Sequence, residues 1–162
     1  MILLEQILVA TDFSDASEVA LAYGRALART FGASLHLLHV MENPFFRPVP
    51  TDPYLLKAAA AKHLGERLTH DDRASLHAIG ALETSDNPAE EIVTYAKAHD
   101  IDLIVMGTHG RGAMAQLLVG SVAERVVRTA SCPVLTVRHP EHEFVVPDTA
   151  DTTANQQPGG PS

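Results

Sequence analysis

Five short apolar runs alternate with four segments of helical periodicity, and that alternation constrains this chain more than any other feature. Ile7, Leu8, Val9 and Ala10 form the first run, unbroken and ending in a polar turn, as a parallel strand covered on both faces requires. Ser14 caps the helix that follows, and Asp15 and Glu18 in its first turn complement the positive end of the helix dipole. Ala16, Val19, Ala20, Tyr23, Ala26 and Leu27 then recur at helical spacing up to Gly32, a stop signal. Residues 34–41, SLHLLHVM, are the second strand, and the stretch from Asn43 to Pro53 is a proline-rich loop. Tyr54 to about His70 reads as one helix and Leu76 to Leu82 as the third strand. Asn87 as N-cap, Pro88 at the first helical position and Glu90 at the third start a helix that runs to about His99. Ile101 to Met106 is the fourth strand, Ser121 to about Thr129 a helix and Val134 to Val137 the fifth strand. The order predicts an α/β protein, an open five-stranded parallel sheet with helices on both faces.

A chain of 162 residues, 46% hydrophobic and 20% charged, can bury one ordinary core. Residues 1–140 are read as a single domain. From His139 onward the periodicity stops and Pro, Gly, Gln, Thr and Asp accumulate, so 141–162 is expected to be a disordered tail. A formal net charge of −8 opposes nucleic-acid binding, which draws its affinity from clustered Lys and Arg. An anionic ligand must then be held by local backbone dipoles and a few placed side chains. The one cysteine, Cys132, allows no intramolecular disulfide, and no Cys/His spacing supports structural zinc. The opening MILLEQILVATDFS lacks a basic leader and is too short in its apolar part for a membrane span, so no membrane contact and a reducing, cytoplasmic location are expected.

The stretch GTHGRGAMAQLLVGS, residues 107–121, contains four glycines directly after the fourth strand. In open parallel sheets, ligands sit beyond the carboxyl ends of strands where the strand order reverses, and both this stretch and the Thr11-Asp12 turn lie at such ends. Bare N–H groups of Gly107, Gly110 and Gly112 suit an anion-binding concavity, and Gly120-Ser121 opens a helix whose first N–H groups carry a partial positive charge. Ser121 with Glu124 three residues on also fits a capping box, a reading compatible with phosphate binding beside the same N–H groups. Isolated glycines in such a connection also serve simply as turn residues. The stretch lacks the GK[ST] ending of a P-loop and the GxGxxG pattern, so neither of those nucleotide chemistries applies.

Gly107, two residues, Gly110, nine residues, then Gly120-Ser121 resembles the G-x2-G-x9-G-[S/T] ATP-binding motif of the universal stress protein family. The segments DLIVMGTHGRG, GSVAERVVRTASCPVLTVR, ILVATDFSDAS and LHV are similar to that family in the same order, over roughly residues 5–138. Asn87-Pro88 departs from the family's usual glycine before the third helix; because Asn tolerates the left-handed region, little change is expected.

The resemblance implies the Rossmann-like, adenine nucleotide alpha hydrolase-like fold and a nucleotide, ATP or else ADP or AMP, across the first and fourth strand ends. Mg2+ is compatible with its phosphates. Asp12 would accept a ribose hydroxyl, as an acceptor-only carboxylate can. Ala10, Thr11, Val40 and Met106 would line the adenine. Gly107, His109, Gly110 and Arg111 would border sugar and phosphates, and Gly120, Ser121 and Val122 would bind phosphate oxygens. It further implies a homodimer through the last strand, Val134 to Val137, which is a bare sheet edge unless paired.

Other candidates carry less. His36 and His39 are three apart on a strand and face opposite sides, so they do not chelate together. His139 and His142 lie at the start of the tail, and Cys132 reads as a small apolar residue. Catalysis has little support: ATP-using enzymes of related architecture carry an SGGxDS-like loop or an HxGH pair, where this chain has ATDFSDAS and a lone His109-Gly110. Ser14 has no partnered base in sequence. The expectation is an ATP-binding sensory or regulatory dimer with little or no turnover; a nucleotide-free scaffold of the same fold is the alternative, and slow ATP hydrolysis a third reading.

Overall fold

All five apolar runs form strands: β1 (Gln6–Ala10), β2 (Ser34–Met41), β3 (Ile79–Thr84), β4 (Leu103–Gly107) and β5 (Val134–Val137). They pair in parallel in the order β3-β2-β1-β4-β5. The helices between them are α1 (Asp15–Phe31), α2 (Pro53–Arg67), α3 (His70–Ser75), α4 (Pro88–Ala98) and α5 (Ser121–Thr129). The computed structural model describes residues 1–43, 52–108 and 121–138; the proline-rich stretch 44–51, most of the glycine stretch (109–120) and the segment from 139 onward lie outside the described residues.

Strand alternation splits the core into two layers. Ile7, Val9, Leu35, Leu37, Val105 and Val137 point to the side covered by α1, α2 and α3, where they meet Leu21, Tyr23, Leu64 and Leu68. Leu8, Ala10, Leu38, Ile104 and Met106 point to the side covered by α4 and α5, against Ile92, Val93, Ala123 and Val126. Each layer buries several aliphatic side chains completely, each worth roughly 1.5–3 kcal/mol relative to exposure.

The helix ends follow local chemistry. The Ser14 side chain accepts from the Ser17 N–H, and Gly32 closes α1 in the left-handed region at φ 68°. Asn87 caps α4 by accepting from the Glu90 N–H, with Pro88 in the first turn. Its φ is −126°, so the left-handed tolerance of Asn is not drawn upon. Several boundaries differ from the sequence reading, the third strand also ending at Thr84 and not Leu82. The helix expected to run to His70 ends at Arg67, because Thr69 and Asp72 form a capping box that starts the separate helix α3. The third strand accordingly begins at Ile79, not Leu76: the Asp72 carbonyl accepts from the N–H groups of both Leu76 and Ala78, which holds those residues in the connection.

Buried Asp72 also ties this connection to α1. Its carboxylate accepts from Arg25 Nε at 3.0 Å and Nη2 at 2.8 Å and from the Thr69 N–H at 2.9 Å. Burial alone would push the carboxyl up; the Arg25 and Thr69 hydrogen bonds outweigh it and hold it below the ordinary carboxylate range. β4 likewise starts at Leu103, after Asp102, whose carboxylate accepts from the N–H groups of Glu5 and Gln6 at 2.8 and 2.9 Å and so aligns β4 with β1.

Candidate functional site

The chain runs outward from β1 to β2 to β3, then returns to lay β4 on the other side of β1. The reversal falls between β1 and β4, and the helices that follow them, α1 and α5, cover opposite faces of the sheet, the arrangement in which open α/β sheets hold ligands beyond the strand ends. Ala10 and Met106 are register partners at that edge, and both are buried. Val40, near the end of β2, is half-buried and packs on the same layer. Three of the four residues expected against adenine thus share one sheet face at its carboxyl end.

Thr11 is built differently. Its N–H donates to the Leu38 carbonyl at 2.9 Å, its hydroxyl donates to Ser17 Oγ at 3.0 Å, and the same hydroxyl accepts from the Phe13 N–H at 3.0 Å. Its carbonyl accepts from His39 Nδ1 at 2.7 Å. Thr11 is therefore the framework of the turn. Asp12, next in line, accepts the Ser14 N–H on Oδ1 at 3.0 Å, an Asx turn that fixes the direction of its carboxylate.

Gly107 ends β4 opposite this turn. A Cβ there would lie 2.8 Å from Ala16 Cβ, 3.0 Å from Ala16 C and 3.1 Å from its carbonyl oxygen. The absence of a side chain is thus required for α1 to seat on the strand, a reason separate from any bare amide offered to an anion. Gly24 in α1 has a related role against Val9, whose Cγ2 would stand 2.3 Å from an added Cβ. Ser121 and Val122 open α5; Ser121 is exposed, Val122 packs on the core, and Glu124 turns forward to accept from Arg128 Nη2 at 2.8 Å. His109, Gly110, Arg111 and Gly120 lie outside the described residues.

Two features of the site carried no signal that the sequence reading used. Phe13 has φ 64°, a left-handed conformation without the Gly or Asn that would mark it. His39 reaches from β2 to the end of β1, a contact between residues distant in sequence. His36 lies on the α4 side, between Tyr95 Oη at 2.9 Å and Gln6 Oε1 at 3.0 Å, whereas His39 reaches Thr11 and Phe13; His139 and His142 lie outside the described residues. Among the described residues no group of three His, Cys, Asp or Glu side chains is placed to hold a metal ion. Cys132 packs against the α4/α5 layer, and burial pushes its thiol up, away from the thiolate. No helix among the described residues is long and apolar enough to cross a membrane.

An open parallel sheet whose strand order reverses between β1 and β4 defines the Rossmann-like class of α/β proteins. Comparison with known proteins narrows this. The Universal stress protein family profile matches residues 4–138. A universal stress protein of Methanocaldococcus jannaschii is 33% identical over 146 residues, which span 87% of this chain and 86% of that one. Among solved structures, the universal stress protein UspA from Lactobacillus plantarum superimposes with a TM-score of 0.73 at 29% identity, over 85% of this chain and all of that one. A universal stress protein from Archaeoglobus fulgidus, solved in complex with dAMP, has the same fold at a TM-score of 0.63 and 23% identity, over 85% of this chain and 99% of that one. The chain belongs to the universal stress protein family.

Proposed function

We propose that this protein binds an adenine nucleotide, ATP foremost, in the crevice between the β1 turn and β4, and acts as a sensor or regulator with little or no turnover. The observation that carries the reading is the conjunction of Ala10, Val40 and Met106 on one sheet face with Asp12, two residues beyond Ala10, in the turn at the strand-order reversal. An apolar floor next to a fixed carboxylate suits a base and its ribose, with Asp12 accepting from a ribose hydroxyl. The start of α5 at Ser121 and Val122 supplies N–H groups for phosphate oxygens, each charge-assisted bond worth about 1.5–3 kcal/mol. The motif glycines 110 and 120, with His109 and Arg111, would complete the phosphate side, and Mg2+ would offset charge there. The dAMP complex of the Archaeoglobus fulgidus protein supports a nucleotide in this fold. A homodimer through β5, which among the described residues pairs with β4 alone, belongs to the same reading.

Calorimetric titration with ATP, ADP and AMP, with and without Mg2+, tests it. Asp12→Ala is expected to weaken binding by about 1.5–3 kcal/mol without unfolding the protein, the scale of a hydrogen bond to a charged group. No binding to wild type at millimolar nucleotide would transfer the function to the nucleotide-free scaffold reading.

A further inference from the structure

The turn after β1 holds a residue in a conformation it does not favour. A non-glycine residue in the left-handed region costs roughly 1–2 kcal/mol, so the neighbours of Phe13 must over-determine its φ of 64°. Two of them are local: the Phe13 N–H donates to Thr11 Oγ1, and the Ser14 N–H to Asp12 Oδ1. The third is not. His39 touches the turn on both sides of Asp12, at the Thr11 carbonyl through Nδ1 at 2.7 Å and at the Phe13 ring, centroid to centroid 4.4 Å. That ring is also met by His63, T-shaped at 5.3 Å, and by the Arg67 guanidinium at 5.4 Å.

The chemistry of the first contact is settled by its acceptor. A carbonyl oxygen only accepts, so His39 Nδ1 carries the proton, and it does so whether the ring is neutral or cationic. The Thr11 N–H to Leu38 carbonyl bond connects the β1 end to β2, and the Thr11 carbonyl lies one step beyond the strand. His39 supplies the donor that the sheet no longer provides.

We propose that His39 is a positioning residue: by holding the Thr11 carbonyl and bracing the Phe13 ring, it fixes the left-handed turn and with it the direction of the Asp12 carboxylate. The consequence for ligand affinity rests on the nucleotide reading given above, whereas the consequence for the turn does not.

Two substitutions separate the contacts. His39→Phe keeps a ring against Phe13 and removes the donor; His39→Asn keeps a donor nitrogen at the position of Nδ1 and removes the ring. Nitrogen-15 NMR of the wild-type imidazole should show Nδ1 protonated and Nε2 bare when neutral. Hydrogen exchange at the Phe13 and Ser14 amides should accelerate about tenfold in His39→Phe, and ATP and AMP affinity should fall by a similar factor, the scale of one lost hydrogen bond. His39→Asn should restore both to within about threefold, the loss left by the missing ring contact. An Nε2-protonated neutral ring, unchanged exchange in His39→Phe, or failure of Asn to rescue would each overturn the proposal, as would altered exchange with unaltered affinity. Wild type that binds no nucleotide would end the nucleotide reading alone, since exchange and tautomer still decide the role of His39. Should His39→Phe not fold, the wild-type tautomer and the Asn variant decide it.

Discussion

Gly107 is the site residue whose removal of freedom is best defined by the structure, and Gly107→Ala tests how the crevice is built. The added methyl would meet Ala16 Cβ at 2.8 Å and the Ala16 main chain at 3.0 and 3.1 Å. None of these atoms can rotate away, so relief requires α1 to lift from the end of β4. Overpacking of that kind costs about 1–3 kcal/mol. Gly→Ala also removes conformational entropy from the unfolded chain, which returns about 0.4–1 kcal/mol. The net expectation is a loss of about 1–2 kcal/mol; for a domain of this size each kcal/mol moves Tm by roughly 2–4 °C. Urea unfolding followed by circular dichroism should show a lower midpoint with an unchanged m value. Ala16→Gly removes the nearest of the three contacts, so the double variant should show a favourable coupling of at least about 0.5 kcal/mol relative to the two single variants. Gly65→Ala is the control: nothing lies within 4 Å of an added Cβ on this α2 glycine, and stability should rise by about 0.5–1 kcal/mol. If Gly107→Ala is as stable as wild type, or if the coupling is zero, the close seating of α1 is not what demands a glycine there.

Arg25→Met should cost about 3 kcal/mol at neutral pH, because it removes the guanidinium hydrogen-bonded to the buried Asp72 carboxylate and leaves it only Arg29, 3.9 Å away. The Asp72 carboxyl is held below its ordinary value in the folded protein, so its contribution is present above the unfolded pKa of about 3.9 and is lost as pH falls through the lower folded value. Stability curves of wild type and Arg25→Met should therefore converge in acid, and parallel curves down to pH 2 would refute the pairing. His36 titrates in the same sense at higher pH: burial first, then the nearby His99, lowers its folded pKa below about 6.5. Its neutral form, bonded to Tyr95 and Gln6, stabilises the fold above that pH, and the contribution is lost as pH falls through the folded value. Urea midpoints of wild type should thus fall between pH 7.5 and 5 more steeply than those of His36→Gln, and equal slopes would sink the assignment.

What sequence patterning could read here is what short-range chemistry decides. Ser14, Gly32 and the Asn87-Pro88 start each act within one helical turn, and all three stand at the helix ends expected of them. The parallel sheet follows from the alternation, whereas its strand order, β3-β2-β1-β4-β5, is set by pairing between distant strands that the alternation leaves open. The third strand was displaced because a Thr69-Asp72 box inserts a helix of only six residues, and the hydrophobic pattern across it, Leu64, Leu68, Leu76, Ala78, stays buried throughout. Periodicity alone cannot distinguish a buried connection from a buried strand. Phe13, His39, and the seating of Ala16 on Gly107 were illegible for a different reason: each makes a contact with a residue far along the chain.

Those distant constraints converge on one place. Ala16 and Ser17 are consecutive in the first turn of α1; Ala16 receives the end of β4 at Gly107, and Ser17 receives the Thr11 hydroxyl at the end of β1. His39 adds a third attachment from β2. The β1 and β4 sides of the crevice are thus fastened to the same helical turn and cannot move apart without unseating α1. A ligand that meets both sides finds them already at their separation, so little of its binding energy is spent on ordering them. The α5 side begins at Ser121, which is exposed. On this reading, substitutions in the first turn of α1 alter affinity for the whole nucleotide, base and phosphate alike, whereas substitutions at the start of α5 act on phosphate-bearing ligands and leave adenosine binding unchanged.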